Sequence, residues 1–358
     1  MIKLFSDRSH YDAAHRNQLA ELLRPYWKEE PFTDIQRQEM YGLAPDDFCL
    51  VGELAQADLA VLPLTWNYYL GRREIATAQK FITAARRAGR PVLSGVSGDE
   101  GVTVPAEFDD IFVVRASGYR SRRRKRQLAQ PVFFDDPWRR YPEYETYERP
   151  EGAGAKPTVG FCGQASVGML KPVVDVIRTF WRNCQYRLGQ RLEEPQPLGS
   201  PARLRARSLQ TLRASSRVQP EFVIRSKYRA GASDAAAREK TTREFYANLA
   251  GTDYTLCVRG GGNFSKRLYE TLAMGRIPLL VDTDCVLPFE PELAWGDYIV
   301  RVDQAELATL PDRVAEHFAR AGVAGLAAQK QKGRELWARD LTFGGFHRRL
   351  AWHILKTA

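Results

Sequence analysis

The residues with the most chemistry to offer lie in one stretch, Tyr254–Glu290, which reads YTLCVRGGGNFSKRLYETLAMGRIPLLVDTDCVLPFE. Gly260, Gly261 and Gly262 let a ligand approach the backbone closely. Ser265 stands where it can cap a helix whose first N–H groups and dipole favour an anion. Arg259, Lys266 and Arg267 bring full positive charges to the same place. Glu270 follows Arg267 by one turn, roughly 4.5 Å along a helix axis, on the same side. A diphosphate at the helix tip, held by the arginines, would put an attached ribose near Glu270. The plainer alternative is a glycine turn with Arg267 and Glu270 as a surface ion pair. No Walker lysine pattern is present, and the glycines do not complete a dinucleotide fingerprint.

These side chains need elements to hold them. Tyr254–Arg259 is a short apolar β-rich run, and the helix after Ser265 has Leu268, Leu272 and Ala273 on one face. Gly275 suits the C′ stop of that helix, and Ile277–Val281 reads as a second buried strand. Upstream, Ile2–Ser6, Asp58–Thr65, Pro91–Gly95 and Ile111–Arg115 read as strands, and Glu74–Ala88 as an amphipathic helix stopped by Gly89. Strands separated by helices at this spacing predict an α/β fold with parallel sheets covered on both faces, and ligands beyond the carboxyl ends of the strands. The loops Asp7–Asp12 and Trp66–Arg73 are then of interest. Pro137–Pro157, rich in proline, glycine and tyrosine, reads as an interdomain linker. Thr158–Cys162 opens a second sheet, followed by the small-residue loop Gly163–Gly168. Pro172–Tyr186 is helical, Arg187–Ser216 is arginine-rich without a clear element, Pro220–Ser226 is a strand and Ala235–Ala250 a helix. A last strand, Trp295–Val302, precedes helical patterns over Gln304–Arg320, Gly322–Arg339 and Gly344–Lys356. The expected units are 1–136, the linker 137–157, 158–340 and a terminal helix 341–358.

Bulk properties limit the partners. At 358 residues the chain can bury a large core and is long enough for two domains. A net charge of +10 favours an anionic partner. Five cysteines without CxxC or CxxH spacing give neither a disulfide framework nor a zinc site, and Cys162, Cys257 and Cys285 sit in apolar settings suited to buried thiols. No apolar stretch approaches the roughly 20 residues that a bilayer span requires, and MIKLFSDRSH carries no signal-peptide core. The expectation is a soluble cytoplasmic protein.

The block RGGGNFSKRLYETLAMGRIPLLVDTDCVLPFE resembles the C-terminal signature of exostosin-type glycosyltransferases (glycosyltransferase family 47). Arg259, Gly260, Ser265, Arg267, Glu270, Gly275, Ile277, Pro278, Leu287, Pro288 and Phe289 stand at the family's signature positions. The strict likeness covers under a tenth of the chain, with weaker likeness from about Gly160 to Val302. The resemblance implies a GT-B fold, two Rossmann-like domains facing each other across a cleft, and inverting transfer from a nucleotide-diphosphate sugar, UDP first, to a glycan acceptor. Glu270 takes the position of the carboxylate that holds the nucleotide's ribose. Arg225 and Lys227, at the carboxyl end of their strand, face the donor cleft in such a fold and can touch the diphosphate. The terminal helix is expected to pack back on the N-terminal domain. Relatives in animals and plants usually carry an N-terminal anchor, and its absence suggests a bacterial enzyme of polysaccharide or lipopolysaccharide assembly.

Inverting transfer needs a base for the acceptor hydroxyl. Asp7 and His10 are the candidates, with Asp12, Asp34 and Glu74 behind them, and Arg267 is the group that stabilises the leaving phosphate. Asp282, Asp284 and Glu290 could ligate Mg²⁺ or Mn²⁺. The abundance of arginine favours transfer without a metal, so neither a metal nor another cofactor is expected. Tyr119–Arg126 (YRSRRRKR) is a solvated charge run, a docking patch for anionic membrane through Arg120–Arg126, or a hold for an anionic acceptor. No nucleic-acid module accompanies it. Two rival readings remain: another nucleotide-sugar enzyme such as an epimerase, and a non-catalytic protein that binds anionic glycan.

Overall fold

A computed structural model describes residues 1–11, 13–28, 32–149, 154–165, 171–225, 231 and 234–358. The chain builds two parallel sheets in series. The first has the order β2-β1-β3-β4-β5-β6, from β1 (Ile2–Phe5), β2 (Phe48–Leu50), β3 (Leu59–Val61), β4 (Val92–Val96), β5 (Phe112–Arg115) and β6 (Gln127–Ala129). Its helices are α1 (Asp34–Tyr41), α2 (Trp66–Gly71) and α3 (Ile75–Arg87). Val92–Val96 is buried at every position, as a strand covered on both faces must be.

Between the sheets, α4 (Pro137–Arg140) and the residues after it pack rather than hang free. Trp138 and Tyr141 share a core cluster with Tyr246, Leu249 and Met274, and Asp136 pairs with Arg334 at 2.5 Å. The second sheet has the order β11-β10-β9-β7-β8: β7 (Thr158–Gln164), β8 (Gln219–Arg225), β9 (Tyr254–Cys257), β10 (Ile277–Asp282) and β11 (Val300–Asp303). Pro220 lies on β8, an edge strand, where a missing N–H leaves no partner wanting. The helices here are α5 (Lys171–Arg187), α6 (Pro201–Ala214), α7 (Ala235–Ala250), α8 (Lys266–Ala273) and α9 (Leu310–Leu336), the last interrupted at Gly322. The chain closes with α10 (Phe343–Thr357), whose Phe346, Leu350, Ala351 and Ile354 lie in the core of the first sheet.

Two parallel-sheet α/β units are thus what the alternation of strand and helix signals required. Three elements differ from expectation. Trp66–Arg73 is not an open loop: α2 buries Trp66 and Tyr69 completely, so its aromatics serve the core. Within Arg187–Ser216, α6 starts with Pro201 at its first turn and buries Ser208, Leu209 and Leu212 on one side. The arginines between those positions hide that stripe from a hydrophobicity reading. β2 and β6 are each three residues long, too short for any alternation to register. Among the described residues, no helix is long and apolar enough to cross a membrane.

Candidate functional site

The carboxyl ends of β7 and β9 lie side by side, and the chain leaving β9 carries Arg259 and the three glycines into α8. Three arginines meet there. Arg259 is buried and donates to the Tyr119 hydroxyl, the Gln196 side chain (both 2.9 Å) and the Gly261 carbonyl (3.1 Å). Arg267 donates to the Cys162 carbonyl at 2.9 Å and lies over the Phe161 ring, 4.3 Å from its centroid. Gly163 makes room for it, since a Cβ there would stand 2.8 Å from the guanidinium. The third is Arg205, on α6, donating to the carbonyls of Gln164 (2.6 Å) and Arg259 (3.3 Å).

None of the three has a carboxylate partner within ion-pair distance among the described residues, and the Nε of each is shielded from solvent without a hydrogen bond. Burial, with Arg267 beside it, holds the Arg205 guanidinium down at about 10. Burial also lowers Arg267. Carbonyl oxygens, the Gln196 side chain and the Tyr119 hydroxyl face these guanidinium groups, and the Glu270 carboxylate acts on Arg267 from beyond ion-pair distance. Arg205 was invisible in the sequence, one arginine in an arginine-rich stretch. Only the pairing of β7 with β9 and the placement of α6 single it out.

Ser265 occupies the N-cap position of α8, yet its side chain makes no capping hydrogen bond, contrary to expectation. Lys266, not Arg267, pairs with Glu270, at 3.2 Å with the Glu270 side chain 12 % exposed. So Arg267 and Glu270 are not the surface ion pair of the plainer reading. Arg225 pairs with Glu244 and donates to the Thr241 carbonyl, which leaves it less free than its neighbours. Lys227 and the loop positions 166–168 lie outside the described residues.

Two glycines of the loop admit a close approach by the protein itself. A Cβ on Gly262 would lie 2.2 Å from the Asp99 carbonyl, and one on Gly261 would lie 3.2 Å from the Asp99 carboxylate. Asp99 belongs to the loop after β4, in the first domain. A Cβ on Gly260 would meet nothing within 4 Å, so of the three this glycine alone leaves open space. Asn263, wholly buried, donates its N–H to the Ser117 hydroxyl and its amide to the carbonyls of Gly118 (2.9 Å) and Thr283 (3.1 Å). It therefore clamps the loop to the first domain, a role its sequence context did not announce.

The basic run is likewise drawn inward. Arg120 pairs with Asp282 at 2.9 Å, Arg123 donates to the Glu290 carbonyl, and Arg124 binds the Val104 carbonyl and Asp109. Arg122 lies over the Tyr119 ring and Arg126 over Phe112. This loop bridges the two domains, and it is not the free charge run that its composition suggests. Asp282 and Glu290 both pair with Arg301 at 2.8 Å, and Asp284 accepts from the Ser121 N–H. Those three acids are satisfied by cations and donors of the protein itself. Among the described residues, no cluster of three or more histidines, cysteines or acids could hold a metal ion. All five cysteines are free, and burial pushes Cys257 and Cys285 up to about 12, far from a reactive thiolate.

Asp7 and His10 come together after β1. Asp7 caps a short turn through Ser9 and His10 reaches the Tyr69 hydroxyl at 2.8 Å, with 3.9 Å between the two side chains. Burial lowers His10 more than Asp7 raises it, so the ring is neutral at pH 7. Glu74 is at the start of α3 and Asp34 opens α1, while Asp12 lies outside the described residues. A cavity of about 260 Å³ lies at the carboxyl ends of β3, β4 and β5, and neither Asp7 nor His10 lines it. A second, of about 240 Å³, runs between Ser117–Arg124 and Glu194, Pro195 and Val286.

No protein-family model matches the chain. A probable β-1,4-xylosyltransferase of Arabidopsis thaliana is 32% identical over 77 residues, 22% of this chain and 18% of that protein. A probable glucuronosyltransferase of Oryza sativa subsp. japonica is 32% identical over 66 residues, 18% of this chain and 16% of that protein. The matched stretch thus spans less than a fifth of either relative. Among solved structures, TarM aligns with 84% of this chain and 55% of its own at 7% identity and a TM-score of 0.35. The spinosyn rhamnosyltransferase SpnG, complexed with thymidine diphosphate, aligns with 82% of this chain and 73% of its own at 12% identity and a TM-score of 0.33. Superpositions this loose carry nothing about the site.

Proposed function

We propose that the chain is a glycosyltransferase on the GT-B plan, which moves a sugar from a nucleoside-diphosphate sugar to a glycan acceptor with inversion. The observation that carries this reading is the group of buried Arg259 and half-buried Arg205 and Arg267 at the carboxyl ends of β7 and β9, each with a shielded Nε and none with a carboxylate partner within ion-pair distance among the described residues. Diphosphate is the anion of the right charge, and Glu270 on α8 is the carboxylate we assign to the ribose. The short matches are to proteins named as xylosyl- and glucuronosyltransferases, so UDP-xylose and UDP-glucuronate are the donors to try first.

In this reading the diphosphate sits between the Gly260 end of the loop and the three guanidinium groups. They stabilise the charge that grows on it as the glycosidic phosphate bond breaks, where electrostatic catalysis gains most. Three arginines neutralise the diphosphate without a divalent ion. The acceptor is a precursor of bacterial surface polysaccharide or lipopolysaccharide, presented at the cytoplasmic face of the membrane.

Melting curves with UDP, GDP, ADP, CMP and TDP, each with and without EDTA, test the reading. A bound diphosphate at 100 times its Kd adds about 2.7 kcal/mol. One nucleotide should raise the melting temperature selectively and equally in EDTA. No shift with any of them sinks the reading and brings forward a protein that binds anionic glycan.

A further inference from the structure

The cavity of about 260 Å³ in the first domain is lined by none of the three arginines, yet it is built like a small-molecule site. It lies where ligands lie in open parallel sheets, beyond Val61 of β3, Val96 of β4 and Val114 of β5. Thr65, Ser94 and Ser97 line it beside that apolar floor, the Thr65 hydroxyl donating to Gln18 at 2.6 Å and the Ser94 hydroxyl to the Phe112 carbonyl at 3.0 Å. One carboxylate, Glu21, stands on the same wall. It belongs to the long β1–β2 connection and sits in a short turn fixed by the buried Leu22 and Leu23.

Glu21 is held in place and still reachable. Gln130, just past β6, donates to one carboxylate oxygen at 2.5 Å, and Arg24 stands 3.7 Å from the other. The Glu21 side chain is 31 % exposed. His347 of α10 completes the wall, with its Nδ1 at 2.9 Å from the Phe343 carbonyl. Burial pushes this ring down to about 4, so it is neutral at pH 7.

The cavity is also next to the donor loop. Gly98 lines it, and the following residue, Asp99, presses on Gly262. Ala116 lines it, and the following residue, Ser117, accepts the Asn263 N–H. On two separate strand ends the cavity wall is therefore one residue, about 3.8 Å of chain, from contact with the loop that leads into α8.

We propose that this cavity receives the acceptor sugar and that Glu21 is the catalytic base, in place of Asp7 or His10. The inference rests on the transferase reading above. The Glu21 carboxylate takes the proton of the acceptor hydroxyl. The hydroxyl oxygen bonds to the anomeric carbon as the carbon–oxygen bond to phosphate breaks, and that bond's electron pair leaves with the diphosphate. Burial raises Glu21 from its ordinary value, although Arg24 and Gln130 oppose it, and a raised carboxylate is the stronger base.

The test needs no identified acceptor, because water in the same cavity must lose its proton to the same base. UDP release from UDP-xylose and UDP-glucuronate is followed for the full chain and for Glu21→Gln and Glu21→Asp, with UDP binding measured by calorimetry. The Gln variant should lose at least 100-fold in UDP release with UDP affinity unchanged, and the Asp variant should lose less. The acid limb of the wild-type pH–rate profile should vanish in the Gln variant. Arg24, the charged group beside Glu21, and His347, which shares the cavity wall, remain in both proteins. A Gln variant within threefold of wild type overturns this assignment alone. A wild type that neither binds UDP nor releases it overturns the transferase reading, and the assignment with it.

Discussion

At the scale of single residues, the site is defined by what its side chains lack. Among the described residues, Arg115 pairs with Glu194, Arg301 with Asp282 and Arg334 with Asp136, whereas the wholly buried Arg276 meets backbone carbonyls. Arg205, Arg259 and Arg267 gather at one place and meet carbonyls, the Gln196 side chain and the Tyr119 hydroxyl. A bound anion should therefore depend on Arg205 as strongly as on the residues of the glycine block. We expect Arg205→Met to abolish the melting shift produced by UDP, with the unliganded protein still folding cooperatively. A variant that keeps the wild-type shift would remove Arg205 from the site. Lys266 offers a contrast: half-exposed and already paired with Glu270, it can be replaced by Ala with a smaller loss.

At the scale of elements, the second sheet is pinned by a charge that has no solvent at all. Asp253, just before β9, is completely buried. It accepts from Lys330 of α9 at 3.1 Å, from Arg149 at 3.0 Å, and from the backbone and hydroxyl of Thr158 on β7. One carboxylate thus ties two strands, a helix and the interdomain segment. Burial pushes its pKa up, but Lys330, the Thr158 N–H and Arg149 together hold it below the usual value. The folded state then binds fewer protons than the unfolded one, so the stabilisation is complete above about pH 4 and is lost as pH falls below that. Asp253→Asn leaves Lys330 buried and unpaired and should cost about 3–5 kcal/mol by urea unfolding at pH 7. Adding Lys330→Met should recover much of that loss. A single variant as stable as wild type would show that the pair does not hold these elements together.

At the scale of the whole molecule, the contact between domains explains residues that a ligand was expected to explain. Gly262 must be glycine because Asp99 comes from the other domain, and the arginine run is held at Asp282 and Glu290 across the same interface. Gly262→Ala places a methyl 2.2 Å from the Asp99 carbonyl, so the domains must separate locally. We expect turnover to fall tenfold or more while UDP affinity changes little, and proteolysis near residues 97–101 to quicken. Equal loss of affinity and turnover would instead place Gly262 against the donor.

The sequence by itself determined the architecture. Buried apolar runs alternating with amphipathic segments can be satisfied only by parallel strands covered with helices, and that periodicity is local. It also determined that basic residues and glycines gather between β9 and α8, because they are contiguous in the chain. Tertiary structure alone decided which charges lack partners. Arg225 and the run around Arg120 look as available in sequence as Arg259, yet Glu244, Asp282 and the Glu290 carbonyl claim them. Arg205 and Glu21 carry no motif, and only strands far apart in sequence, ending beside them, bring them to the sites proposed above. Partnership and burial are sums over neighbours contributed by the whole chain, and no short window of sequence contains that sum.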